Sequence, residues 1–305
     1  MTATTSAPIA APPSNLKAIV AMVAATAVFT CGDASMKLVA GTLPTGQTIF
    51  VRGLVSLFVL LHVAAFTGQL AMLRRAIRMP ALGLRLLGDM GGAIFFQSAL
   101  ARMKLADIMG IIQLTPLSLT AASALFLGER VGWRRWTAVA VGFCGALLII
   151  KPGSSAFNAA ALIAIVSVLS GSLRDISTRR IDKTISPVII LLISQVAITF
   201  AGLSFSTFEH WTVPTPVNVL NLVLASLCSM TGQVCLIYSV RSGEISAVAP
   251  FRYTGMLWAI LLGLAIWGDL PDRLTFLGIA VLIAAGLYTL YREQALRIKR
   301  ASSNR

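Results

Sequence analysis

From Ser242 to Asp269 the chain reads SGEISAVAPFRYTGMLWAILLGLAIWGD, and between Glu244 and Asp269 it carries one formal charge, Arg252. About 20 apolar residues in a helix cross the roughly 30 Å hydrocarbon core of a bilayer, so this stretch predicts a membrane helix. The helix is interrupted. Pro250 lacks a backbone donor and disturbs the turn before it, and Arg252 sets a permanent cation inside the span. Residues Asp107 to Glu129, DIMGIIQLTPLSLTAASALFLGE, repeat the layout: an acidic residue, an apolar span broken by Pro116, then Gly128-Glu129 where the later stretch has Gly268-Asp269. Pro116 and Pro250 are therefore matched hinge candidates.

Hydrophobic residues make up 57% of the 305 and charged residues 12%, with a mean hydropathy of +0.84, more apolar surface than a soluble fold covers. The net charge of +14 falls in short clusters between apolar runs, which is the pattern of membrane orientation and excludes a nucleic-acid partner. The runs predict an all-α polytopic membrane protein of ten spans: 17–38, 46–67, 80–101, 106–127, 133–150, 158–179, 186–205, 217–240, 245–267 and 273–291. With a cytoplasmic amino terminus, 16 Lys and Arg residues lie in inner segments and five, Lys37, Arg102, Lys104, Lys151 and Arg273, in outer ones, so both termini are expected inside. Residues 1–16 are small, polar and proline-rich without the basic start of a signal peptide, so a disordered tail precedes a retained first helix; residues 292–305 form a basic cytoplasmic tail.

An internal repeat organises these spans. Span one carries Asp33, Ser35 and Lys37 in DASMK, and span six carries Asp175, Ser177 and Arg179 in DISTR; Gly145 and Gly286 close spans five and ten. The expectation is a five-helix unit at 17–150 duplicated at 158–291, joined by a linker at 151–157. Because five is odd, the second unit enters the membrane upside down relative to the first. Secondary transporters use inverted repeats of this kind, with a site near the midplane where the repeats meet.

Within the spans, Asp33 with Lys37 and Asp175 with Arg179 have the i,i+4 spacing of helical ion pairs. Arg52 is expected near the depth of Asp33, and Arg252 near that of Asp175, as two charge clusters that either gate a cavity or hold helices in place. Arg85 and Asp89 form a further i,i+4 pair, with Phe96 on the same face, and Asp89 is either paired or a proton carrier. Gln97, Gln113, Gln195 and Gln233 need partners where water is absent; with Tyr238, Tyr253 and Trp258 they either link helices or line a cavity for a polar molecule with a planar ring. Four cysteines without CxxC spacing and two isolated histidines, His62 and His210, suggest no metal. No cofactor is expected.

LGER (Leu127 to Arg130), APFRY (Ala249 to Tyr253) and WGDLPDRLTFLGIAVLIAAGLY (Trp267 to Tyr288) resemble the EamA-type branch of the drug/metabolite transporter superfamily. The DxS and DIS motifs and PFRY are most similar to its bacterial riboflavin and S-adenosylmethionine importers. The resemblance implies a multi-pass bacterial inner-membrane carrier whose central cavity is lined mainly by spans one, three, four, six, eight and nine. Its expected partners are a small-molecule substrate and the lipid bilayer, with a homo-oligomer allowed. Riboflavin uptake is the first expectation, S-adenosylmethionine uptake or export of amino acids or drugs the second. A membrane-embedded enzyme is the competing class, but HExxH and GxSxG motifs are absent. With both termini inside, green fluorescent protein fused to the carboxyl terminus will fluoresce and alkaline phosphatase fused there will be inactive. The reverse pair of results would invert the orientation.

Overall fold

The computed structural model describes residues 15–127, 133–152, 159–178, 180–182, 184–242 and 248–303, and these contain helices and turns and no strand. The helices are α1 (Leu16–Ala40), α2 (Thr45–Phe66), α3 (Leu73–Ile77), α4 (Pro80–Leu100), α5 (Leu105–Ile112), α6 (Thr115–Leu127), α7 (Trp133–Ile150), α8 (Ala160–Thr178), α9 (Pro187–Ser206), α10 (Pro216–Ser242), α11 (Thr254–Trp267) and α12 (Arg273–Ser303). Short 3₁₀ segments cover Gln69–Met72 and Ala249–Tyr253.

Sequence chemistry places the ends of these helices. α4, α9 and α10 each begin on a proline, Pro80, Pro187 and Pro216, whose missing N–H costs nothing at a first helical position. Ser186 caps α9, accepting from Val188 N at 3.2 Å. α11 ends at Gly268, whose φ of 68° is a left-handed conformation suited to glycine. Asp272 caps α12, accepting from Thr275 N at 2.8 Å, and also accepts from Lys151. The Lys151 bond, then the Thr275 N–H, hold the Asp272 carboxyl down to about 2, so the cap is ionised at neutral pH. Span four is broken at residues 113 and 114, one turn before the expected hinge: Pro116 cannot bond the carbonyl of Ile112, and Thr115 Oγ1 donates to that oxygen instead at 2.6 Å.

Among the described residues, eight segments are long and apolar enough to cross a membrane: Leu16–Ala40, Thr45–Phe66, Leu105–Ala122, Ala160–Thr178, Pro187–Ser206, Pro216–Ser239, Pro250–Trp267 and Arg273–Arg292. The expected count of ten exceeds this by α4, which carries Arg85 and Asp89, and α7, whose apolar part is Trp136–Ile150. The charges on α4 are hidden between helices, so its composition understates its burial.

Packing is reciprocal. α1 lies along α10 and α4 along α8, while α2 lies along α9 and α7 along α12. Glycines set the distances. A Cβ on Gly32 of α1 would stand 3.1 Å from Cys228 Cβ, and one on Gly88 of α4 would stand 2.6 Å from Arg174 N and 2.7 Å from Ser170 O. Around these crossings a continuous core joins Met36, Leu100, Ile108, Ile111, Leu222 and Met256.

Turns expected on one side meet one another. At one end Lys104 pairs with Asp269 at 3.2 Å and Lys151 with Asp272. At the other, Arg75 pairs with Asp182 at 2.7 Å and Ser186 donates to Gln69. Because the atoms facing Gly88 are backbone and cannot step aside, Gly88→Ala will destabilise the protein by about 1–3 kcal/mol. Gly83→Ala, with nothing within 4 Å, will leave stability unchanged. Thermal unfolding in detergent compares the two.

Candidate functional site

Three helices meet around a small internal space. Residues three or four apart share a helix face, and this spacing turns Ile49 and Arg52 of α2, Ala93, Phe96 and Gln97 of α4, and Gln195 and Ile198 of α9 onto one cavity of about 70 Å³. Its walls are half apolar, and its polar groups are one guanidinium and two amides. Arg52 Nη2 donates to Ser229 Oγ at 2.7 Å, and the Arg52 carbonyl accepts from Ser226 Oγ at 3.2 Å, which ties α2 to α10. Arg52 Nε and Gln97 Nε2 are buried and have no hydrogen-bond partner among the described residues. Both are donors, and both belong to residues that line the space.

One turn along α4 from Ala93 stands a separate cluster of charges. Arg85 Nε lies 3.4 Å from Asp89 Oδ2, and Arg174 Nε lies 2.8 Å from Asp175 Oδ1 and 4.0 Å from Asp89 Oδ1. Arg85 also donates to Ser194 Oγ at 3.3 Å and to Thr178 Oγ1, so the network joins α4, α8 and α9. The Arg85 and Asp89 side chains are 10% and 7% exposed. Of the expected pairings, Arg85 with Asp89 is present.

Several other expectations change. Lys37 does not pair with Asp33; it donates to the carbonyls of Leu100, at 3.2 Å, and Met103, and sits 5.6 Å from the Trp267 ring. Those carbonyls belong to the end of α4 and the turn after it, where unsatisfied oxygens attract a cation. Asp33 is within electrostatic reach of Arg52 but makes no contact ion pair with it. Asp175 takes Arg174 as partner, and Arg252 is exposed on the 3₁₀ segment and is not paired with it. Arg179, the expected i,i+4 partner of Asp175, lies outside the described residues, as do Gly128 and Glu129.

The cavity candidates divide. Phe96 and Gln97 line the space, joined by Arg52 and Gln195. Asp89 stands in the charged network and not in the lining. Tyr238 is 50% exposed on the outside of α10, because its register turns it away from α1. Gln113 caps the end of α5, and Gln233 is half-buried on α10. Tyr253 is buried against Gly286, where a Cβ would collide with its hydroxyl, and neither Tyr253 Oη nor Trp258 Nε1 has a hydrogen-bond partner among the described residues. Pro250 is the second residue of the 3₁₀ segment.

This cavity lies between spans two, three and seven, of which span three belongs to the six-span ring that the resemblance implies. Within that ring, α1 packs closely on α10 and α4 on α8 at glycine-bearing crossings. Sequence reasoning missed Arg174, Ser194 and Ser229. Arg174 adjoins Asp175 in sequence, a spacing that helical periodicity does not read as a pair. Replacing Arg85 by Gln leaves Asp89 buried with a weaker counter-ion and will lower stability by about 3 kcal/mol, and adding Asp89→Asn will restore part of the loss. Thermal unfolding of the single and double variants measures this.

The "Riboflavin transporter" of Rhizobium johnstonii is 27% identical over 196 residues, 64% of this chain and 65% of that one. The "S-adenosylmethionine uptake transporter" of Rickettsia bellii is 24% identical over 61% of this chain and 63% of its own length. The chain thus spans just under two thirds of the length of these two relatives. The "Pseudopaline exporter" of Pseudomonas aeruginosa is 28% identical over 281 residues, covering 89% of this chain and 95% of that one. A solved crystal structure superposes with a TM-score of 0.62 at 17% identity, over 92% of this chain and 98% of the other, and so shares its fold. The EamA-like transporter family matches twice, at residues 16–151 and 158–292, and the chain belongs to that family.

Proposed function

We propose that the protein is a secondary active carrier of a small organic metabolite in a bacterial inner membrane, with both termini cytoplasmic, built as two inverted five-helix units at 17–150 and 158–291. The observation that carries this reading is a cavity lined by Arg52, Gln97 and Gln195 at the seam where α2 and α4 of the first unit meet α9 of the second. Inverted-repeat carriers place their sites at such a seam. Reciprocal packing supports the duplication. The first helix of each unit lies on the third of the other, as α1 on α10 and α8 on α4, while second lies on second and fifth on fifth.

A cavity of about 70 Å³ is too small for a whole metabolite, since ligand pockets run from about 300 Å³ upward. Transport therefore requires the units to part, with the breaks before Pro116 and around Pro250 as the places where spans four and nine bend. The Arg52–Ser229 link and the Asp89/Arg85/Arg174/Asp175 network are the contacts that such parting strains. An enzyme is the weaker reading, because the cavity lining includes neither a nucleophile nor a general base.

Riboflavin is the first substrate to test, on the motif resemblance and on one relative's name, followed by S-adenosylmethionine and by amino acids. In cells lacking endogenous carriers, expression will raise accumulation of one of these radiolabelled compounds above the empty-vector control, and a protonophore will abolish the increase. Flux that survives collapse of the gradients would indicate a passive pore. No flux of any compound in either direction, with membrane insertion verified, would refute the carrier reading.

A further inference from the structure

We infer that the cavity between α2, α4 and α9 binds the carboxylate of its ligand, with Arg52 as the counter-ion and the Gln97 amide as a second donor. The inference rests on the carrier reading for its place in a transport cycle, but binding can be measured without transport. Four observations converge on it. Arg52 Nη2 is engaged by Ser229 Oγ at 2.7 Å while Nε is buried without a partner among the described residues, so the guanidinium is fixed with one donor edge unfilled. Gln97, 3% exposed, lines the same space, and its buried Nε2 has no partner among the described residues. Leaving such donors empty costs about 1–3 kcal/mol each, more for the charged one, and two acceptor oxygens on one ligand group answer both.

The third observation is charge. The cavity lining includes a cation and no acid. Asp33 is within electrostatic reach of Arg52 without contacting it, and Asp89 is held by Arg85 and Arg174. A cationic group would find no counter-ion in the cavity, so any ammonium or sulfonium of the ligand must lie outside it, and a dianionic phosphate would find one positive charge already part-offset by Asp33. A single negative charge fits. The fourth is size: about 70 Å³ holds roughly two waters in the unliganded protein, and a carboxylate occupies comparable space. Ile49, Ala93, Phe96 and Ile198 then give the adjoining carbon atoms an apolar wall. Among the substrates under test, S-adenosylmethionine and amino acids carry the required group and riboflavin does not, so the site chemistry reverses the order that motif resemblance suggests.

The test uses the full chain purified in detergent, with equilibrium binding of radiolabelled S-adenosylmethionine and L-methionine. Decarboxylated S-adenosylmethionine and L-methioninol, which keep the rest of each molecule, serve as competitors, and riboflavin as a carboxylate-free control. At least one acid will bind, and its carboxylate-free analogue will compete at least about tenfold more weakly, corresponding to about 1.4 kcal/mol. Arg52→Gln will lower that acid's affinity about tenfold or more and abolish the discrimination, and Arg52→Lys will keep part of it. Gln97→Leu will weaken acid binding about threefold while the unliganded protein unfolds at the same or a higher temperature, because an unmatched buried donor has been removed. A purely structural amide would instead lose stability and leave affinity alone. Equal competition by acid and analogue, binding by neither acid, or unchanged affinity in both Arg52→Gln and Gln97→Leu overturns the inference. Acid binding without gradient-driven flux would sink the carrier reading and spare this one; flux without discrimination for the acid would do the reverse.

Discussion

A charge inside a bilayer has to find its partner within the chain, and in this protein that requirement decides which helices touch. Arg85 and Asp89 face α8 because Arg174, Asp175 and Thr178 stand there to receive them, and Arg85 reaches α9 through Ser194. The contact needs helices almost backbone to backbone, and Gly88 supplies the clearance: any larger residue would meet the main chain at 170 and 174. Small residues at the crossing and polar groups beside it are the two ways helices associate where lipid removes the hydrophobic drive, and both occur within one turn of α4. α4 is consequently held to α8 by the ion pair of Asp89 with Arg174 and to α9 by a hydrogen bond from Arg85.

The helices were largely legible in the sequence because their cause is local. Apolar runs set the lengths, and the expected starts at 80, 186 and 217 fall within one residue of the observed Pro80, Pro187 and Pro216. Arg85 with Asp89 was legible for the same reason, since both lie on one helix at i,i+4 spacing. Partners between helices were not. Lys37 had an equally well-spaced acid in Asp33, but the carbonyls after α4 bind it, and nothing in residues 33 to 37 records how α1 is rotated against α4. Arg174 stayed hidden because it is adjacent to its acid, and Ser194 and Ser229 because a serine in an apolar span usually bonds its own helix. Arg52 was recognised as an intramembrane cation, yet its position on the cavity wall depends on where α2, α4 and α9 leave a gap.

Under the proposed duplication these contacts acquire a second meaning. Asp33 corresponds to Asp175 and Arg52 to Ser194, each 142 residues on, and Asp89 corresponds to Ser229, 140 residues on. Arg52 to Ser229 therefore joins α2 to α10, and Arg85 to Ser194 joins α4 to α9, which are the same pair of helix positions with the units exchanged. The close crossings correspond too: Gly32 faces Cys228, Gly88 faces Arg174, and the glycine has moved from the first helix of a unit to the third. In inverted units, equivalent positions lie toward opposite faces of the membrane. Each face then has one arginine-to-serine link between units, and the two are unequal, since one is backed by a single uncontacted acid and the other by two ion-paired ones. A carrier that opens one face at a time needs that inequality to have a preferred resting state. An anion arriving at Arg52 would add a counter-charge on the weaker side and narrow the difference between the two faces, which is the condition for a bound ligand to let the bundle switch.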